Sequence, residues 1–141
     1  MSVKTWIISS FREIFLYHHR SLEFRAKVFA LMIAACFTKE KECNYNELKE
    51  VANNIYPNDK KRQQVLIHTT KEYVQKILSN PKYGFDEYIK DINLEVKTKK
   101  DFIKKIDLED LKKFINNDIP EEKRILQLRI YEFFENLIKD S

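Results

Sequence analysis

The chain has 141 residues, a length typical of one domain, and its 26 basic and 22 acidic side chains leave a net charge of only +4. Because 43% of the residues are hydrophobic and 13% are aromatic, the composition excludes an intrinsically disordered protein. The single glycine, Gly84, excludes the glycine-rich loops that bind nucleotides and argues against a hairpin-rich β fold, so we expect an all-α bundle.

The first segment, about residues 3–19, is predicted to be a helix whose apolar residues cover more than half of its circumference. A single core-facing stripe needs only about 100° of the helix surface. The remaining apolar side chains either pack on neighbouring helices or form an exposed contact surface, and the sequence leaves both open. The second case predicts a protein-binding surface, with a homodimer as its simplest form, made by Trp6, Ile7, Ile8, Phe11, Phe15 and Tyr17.

The next segment is predicted to be the central helix of the fold. Ser21 is typical of an N-cap, and the helix is expected from Leu22 to about Phe37, with apolar residues on nearly all sides of its second half. Its longest apolar run, residues 29–37, is much shorter than the roughly 20 residues that span a membrane, so we expect no transmembrane segment. The chain is therefore divided into an N-terminal amphipathic helix, residues 1–20, and a helical core, residues 21–141.

Capping residues and breakers mark the remaining helices. Asn44 and Glu47 resemble a capping box for a third helix that ends before Pro57. Asn58 or Asp59 caps a long helix to about Leu78, and the residues 80–84 are the clearest break in the chain. Three further elements follow: a short helix around residues 85–92, a helix capped at Thr98, and one opened by Asp107. With the last helix, the sequence predicts a bundle of seven or eight helices. The last helix has Pro120 in its first turn and runs from Glu121 to about Lys139.

The histidines and cysteines show no spacing that is typical of a metal site or a nucleophilic triad. His18, His19, His68, Cys36 and Cys43 form neither a C-x2-C nor an H-x3-H pattern, so we expect no metal and no cofactor. Two cysteines do not make a disulfide framework, which predicts free thiols and a cytoplasmic location. No serine lies in a glycine-flanked turn, and we expect a protein that is not an enzyme.

Pairs and triplets of basic residues offer an alternative function. Such groups could neutralise phosphates in a helical nucleic-acid-binding protein. Acidic residues are interleaved among the later ones, however, which favours solvated helix faces and predicts no specific binding of nucleic acid. These basic groups are Lys60-Lys61-Arg62, Lys99-Lys100, Lys104-Lys105 and Lys112-Lys113.

Two parts of the sequence resemble a TerB-like domain, the helical family named for tellurite resistance. The first part is the alanine-rich apolar stretch 24–36 together with Asn44-Tyr45-Asn46-Glu47-Leu48, and the second is the late helix 124–140. The family pattern is an apolar helix, an acidic Asp-Gly loop and a helix that opens with glutamate, and a related unit recurs late in the domain. Such domains also occur in DjlA-type co-chaperones, ahead of a J domain.

The resemblance implies a protein-interaction function and a small set of acidic residues. The residues 38–42 replace the first Asp-Gly loop, and only Glu47 and Asp140 fall on acidic positions of the pattern, as the candidate metal ligands that the resemblance implies. The chain contains no His-Pro-Asp triplet, so it includes no J domain itself. Because Asp140 falls where the second acidic loop of the pattern would begin, we expect an N-terminal part of a longer co-chaperone. The implied partner is a protein of a chaperone system, bound without catalysis.

Overall fold

The computed structural model describes residues 20–37 and 45–141, and every regular element in these two ranges is helical. The described residues form six α-helices and one 3₁₀ helix, which confirms the all-α expectation. In chain order the elements are α1 (Arg20–Cys36), α2 (Tyr45–Ile55), α3 (Lys60–Ser79), α4 (Pro81–Thr98), the 3₁₀ helix η1 (Lys100–Lys105), α5 (Leu108–Lys112) and α6 (Glu121–Lys139).

Helix α1 forms the centre of the bundle, as its sequence predicted. Thirteen of its seventeen residues are buried, and from Ala26 to Cys36 no residue reaches solvent to a significant extent. Such a helix has no polar side that could face water, so it must be covered all around. Helices α3, α4 and α6 and the 3₁₀ helix η1 all contact it, while α2 packs on α3 and α5 packs on α6.

Aromatic rings on α1 connect it to the second half of the chain. The ring of Phe24 lies 5.0 Å from that of Phe102 in η1, and the ring of Phe29 lies 5.4 Å from that of Phe114, which follows α5. Burial of such a side chain contributes about 1.5–3 kcal/mol, and tilted ring pairs at these distances add to it. These contacts hold η1 and the short helix α5 in place, although neither is long enough to be stable alone.

A buried glutamine links three segments of the bundle through hydrogen bonds. The amide nitrogen of Gln127, in α6, donates to the carbonyl oxygen of Met32 at 3.0 Å and to that of Phe114 at 2.6 Å. Its amide oxygen accepts from the backbone N–H of Asn116 at 3.0 Å. The Gln127 side chain is completely buried, so these bonds offset the cost of removing its amide from water. They connect α6 to the middle of α1 and to the chain segment after α5.

Several predicted helix boundaries agree with the structure. Asp59 caps α3 by accepting from the N–H of Arg62, and Asp107 caps α5 by accepting from the N–H groups of Glu109 and Asp110. Asn58, just before the first of these caps, has a φ angle of 61°, a left-handed conformation that asparagine tolerates better than most residues. Helix α2 ends before Pro57, and α6 spans the predicted residues.

Four local predictions were wrong. Ser21 is not an N-cap, because it lies inside α1. The break at 80–84 is reduced to Asn80 alone, since Pro81 begins α4 and Gly84 lies within it, so that α4 is a long helix of eighteen residues. Thr98 is the last residue of α4 rather than a cap, and Lys99 precedes the 3₁₀ turn. Pro120 immediately precedes α6 instead of lying in its first turn.

Gly84 has a packing role, because α3 and α4 approach each other too closely for a side chain at this position. A Cβ atom added to Gly84 would lie 2.6 Å from the Cα atom of Ile77 and 3.0 Å from its carbonyl oxygen. Both are backbone atoms that no side-chain rotation can move. The only glycine of the chain is therefore required for the crossing of two helices and not for a turn.

We expect Gly84→Ala to lower the free energy of unfolding by about 2 kcal/mol. Alanine in a helix is normally favoured over glycine by about 1 kcal/mol, but the forced shift of the α3 backbone costs more than this gain. Urea unfolding followed by circular dichroism measures the difference. Lys82→Ala, at an exposed position of the same helix, is the control and should change stability little. A Gly84→Ala variant at least as stable as the parent would contradict the close crossing.

Candidate functional site

A lysine of the central helix lies among three carboxylates at the junction of α1 and α4. The amino group of Lys27 is 3.3 Å from a carboxylate oxygen of Glu95, to which it donates a hydrogen bond, 3.9 Å from Glu23 and 4.0 Å from Asp91. Glu23 is one turn earlier on α1, whereas Asp91 and Glu95 are one turn apart on α4. The residue Lys27 is only 9% exposed, so its charge depends on these partners.

Two tyrosines extend this cluster toward α3. The hydroxyl of Tyr73 donates a hydrogen bond of 3.1 Å to Glu23, and its ring meets that of Tyr88 edge-on with 5.3 Å between centroids. Tyr88 is buried on the inner side of α4. We call the group of Glu23, Lys27, Tyr73, Tyr88, Asp91 and Glu95 the Lys27 cluster.

Burial dominates the electrostatics of the Lys27 cluster. Desolvation raises the pKa of Glu95 above its ordinary value, and the nearby charge and hydrogen bond of Lys27 oppose that rise. Desolvation also raises the pKa of Tyr88, and the surrounding carboxylates of Glu87 and Asp91 raise it further. Both effects favour the neutral form of Tyr88.

The geometry of the Lys27 cluster suits a structural connection. The amino group of Lys27 donates to Glu95 and is surrounded by negative charge, which holds it between the two helices. One cation faces three carboxylates, and each carboxylate side chain retains about a third or more of its exposure to water. The cluster thus joins α1 to α4 while leaving negative charge at the protein surface.

We expect Lys27→Met to destabilise the fold by about 2 kcal/mol at pH 7, because it leaves the carboxylates without their buried cation. The same change should raise the pKa of Glu95 further. A carboxyl whose pKa is higher in the folded state binds more protons when folded, so the loss should shrink as the pH falls toward 4. Urea unfolding at several pH values measures this, with Lys49→Met on the exposed side of α2 as control. A loss of stability that does not depend on pH would contradict the electrostatic contact between Lys27 and Glu95.

The residues that the family resemblance proposed as metal ligands lie at helix ends. Glu47 is in the first turn of α2, and Asp140 is the C-cap of α6, where its N–H donates to the carbonyl oxygens of Asn136 and Ile138. His68 is exposed, while Cys36 is buried and its thiol donates to the carbonyl oxygen of Ile33. Within residues 20–37 and 45–141, no three histidine, cysteine or acidic side chains are arranged to hold a metal ion.

The predicted protein-binding surface of the first segment falls outside the described residues. This applies to Trp6, Ile7, Ile8, Phe11, Phe15 and Tyr17. The described residues also exclude His18, His19, Cys43, the loop 38–42 and the predicted capping residue Asn44. The prediction for the first segment therefore remains a prediction.

The basic groups of the sequence differ in their surroundings. Arg62 pairs with Asp59 at 3.5 Å, Lys112 with Glu109 at 3.1 Å, and Lys113 with Glu50 at 3.7 Å. Those charges are partly matched by acidic neighbours. The lysines around η1 are Lys97, Lys99, Lys100, Lys104 and Lys105. They form no ion pair in the part of the chain that the structure describes.

Large apolar side chains on the outer faces of two helices were not singled out from the sequence. Tyr83 and Leu94 on α4 are 70% and 62% exposed, and Ile125 and Leu128 on α6 are 42% and 44% exposed. The first pair was not predicted, because the helix expected from the sequence, around residues 85–92, did not include Tyr83. The last helix was predicted correctly. The exposure of Ile125 and Leu128 could have been predicted, because they lie away from the buried stripe of that helix.

No protein-family model, curated protein or solved structure matches the chain. None of the described helices combines the length and the apolar character that crossing a membrane requires.

Proposed function

We propose that this protein is a non-catalytic helical module that binds another protein through the outer face of α6. The observation that carries the proposal is the pair Ile125 and Leu128, which lie three residues apart and are therefore neighbours on one side of the helix. Opposite this side, Gln127, Ile130 and Phe134 are buried against the bundle. The exposed pair is thus presented by a helix whose position is fixed.

Acidic residues on the same face indicate the chemistry of the partner. Glu121 lies one turn before Ile125, while Glu132 and Glu135 follow Leu128 by one and two turns, and all three are exposed. Arg129 and Lys139 are also exposed near this face, but the three carboxylates outnumber them. The apolar pair and the excess of acidic groups are complementary to an amphipathic helix that carries apolar and basic residues. We propose such a helix, from a different protein, as the occupant of this face.

The TerB-like resemblance extends the proposal to a biological setting. It suggests that the module belongs to a J-domain co-chaperone and that the bound protein is part of a chaperone system. The coding sequence after Ser141 tests this extension directly, because a helical hairpin with a His-Pro-Asp triplet would support it. A stop codon directly after Ser141 would remove its main support and leave the binding proposal intact.

Binding to α6 can be tested with a synthetic helical peptide of leucine and lysine as the probe. We expect the peptide to shift the backbone amide resonances around Ile125 and Leu128, and we expect Leu128→Glu to weaken binding about tenfold through loss of apolar contact and added charge. Leu94→Glu makes the same chemical change on α4 and is the matched control. Equal effects of the two variants would contradict the assignment to α6. Resonance shifts spread over acidic surfaces throughout the protein would contradict it as well.

Nucleic-acid binding is the second candidate function, and the lysines around η1 favour it. Five lysines lie within residues 97–105, with Asp101 as the acidic residue among them. Elsewhere in the chain, opposite charges are interleaved, so few phosphates can be neutralised at once. We therefore expect only weak, non-specific binding of labelled DNA and RNA at 150 mM salt. Submicromolar affinity that falls steeply with salt would favour this function over the protein-binding one.

A further inference from the structure

The outer face of α4 carries four exposed residues in one line. Tyr83, Glu87, Lys90 and Leu94 are separated by four, three and four residues, so they lie on the same side of the helix over about three turns. The apolar residues are at the two ends and are the most exposed large hydrophobic side chains of the described structure. The opposite charges are in the middle, and neither forms an ion pair with any other described residue.

This line of residues is complementary to itself when its direction is reversed. Tyr83 and Leu94 are equally far from the midpoint between residues 88 and 89, and so are Glu87 and Lys90. An antiparallel copy of α4 centred on that midpoint places each Tyr83 opposite a Leu94 and each Glu87 opposite a Lys90. A two-fold axis generates this antiparallel arrangement, because it makes both copies contribute the same patch.

We propose that two copies of this chain associate through the outer faces of α4, packed antiparallel about a two-fold axis. The dimer does not depend on the proposed partner of α6, because it uses a different helix. Two Glu87–Lys90 ion pairs form its centre, and one Tyr83–Leu94 contact lies at each end.

The surrounding charges are compatible with this packing. Asp91 lies at the side of the face and is engaged with Lys27 of its own chain at 4.0 Å, so part of its charge is already compensated. Asp86 is exposed on the side where Lys90 lies, so the Lys90 of the second copy can also approach it. The inner side of α4 is fixed by the buried Gly84 and Ile92, so the outer face is presented without rearrangement.

The size of the contact predicts weak association. One helix face with two apolar side chains from each copy is at the small end of specific interfaces, and exposed ion pairs add little. Dimers should therefore form at high protein concentration and separate on dilution.

Sedimentation equilibrium of the full chain at increasing concentration tests the proposal. We expect the average mass to rise from one chain toward two, and we expect Leu94→Glu to weaken association at least tenfold, because each dimer contains the change twice. Leu128→Glu on α6 is the matched control and should leave the association unchanged. A parent chain that stays monomeric up to millimolar concentration would overturn the proposal, as would equal losses in both variants.

A charge exchange distinguishes this antiparallel pairing from non-specific association. Glu87→Lys alone places a second positive charge opposite Lys90 of the other copy and should weaken the dimer, whereas Glu87→Lys combined with Lys90→Glu restores opposite charges at both positions. We expect the double variant to regain most of the association lost in the single variant. Circular dichroism confirms that each variant is folded. Association that is insensitive to the single change, or not regained in the double one, would overturn the antiparallel pairing.

Discussion

The architecture follows from the fact that helix α1 has no side that can face water. Its residues from Ala26 to Cys36 are apolar or small apart from Lys27, and all of them are buried. A helix of this kind is stable only when other elements cover it completely. The positions of α3, α4, α6 and η1 are the consequence, because each of them presents its apolar stripe to α1.

Two polar residues fix the position of the covering helices. Apolar burial has no directional preference, whereas hydrogen bonds and close ion pairs restrict geometry. Gln127 binds the backbone of Met32 and the segment after α5, which fixes α6, and Lys27 binds Glu95, which fixes α4. Both groups are engaged in contacts that hold the fold together. The binding surfaces that we propose lie on the outer faces of the same two helices.

Much of this fold could be predicted from the sequence, and the largest error, at Gly84, has a physical cause. Asp59 and Asp107 were recognisable as caps because capping depends on neighbours within a few residues. Gly84 was assigned to a break because a proline and a glycine within a few residues usually mark a turn or loop. Its actual reason is the close approach of Ile77, which is a contact between helices and has no local pattern.

The candidate surfaces were less predictable than the helices. Lys27 appeared in the sequence as one lysine in an apolar helix. Glu23 is its neighbour one turn away on that helix, whereas Asp91 and Glu95 become neighbours only when α4 packs on α1. The outer face of α4 depends on the start of that helix at Pro81, because only then does Tyr83 lie in line with Leu94. The first segment remains a sequence-based prediction, since it lies outside the described residues.

The central claim is that α1 is the core on which every other helix depends. Native-state hydrogen exchange measured by NMR at low denaturant concentrations tests it most directly. We expect the amides from Val28 to Ala35 to exchange only through global unfolding, with the full unfolding free energy and denaturant dependence of the whole domain. Exchange of these amides through a smaller opening, while amides of α3 or α6 remain protected, would contradict it.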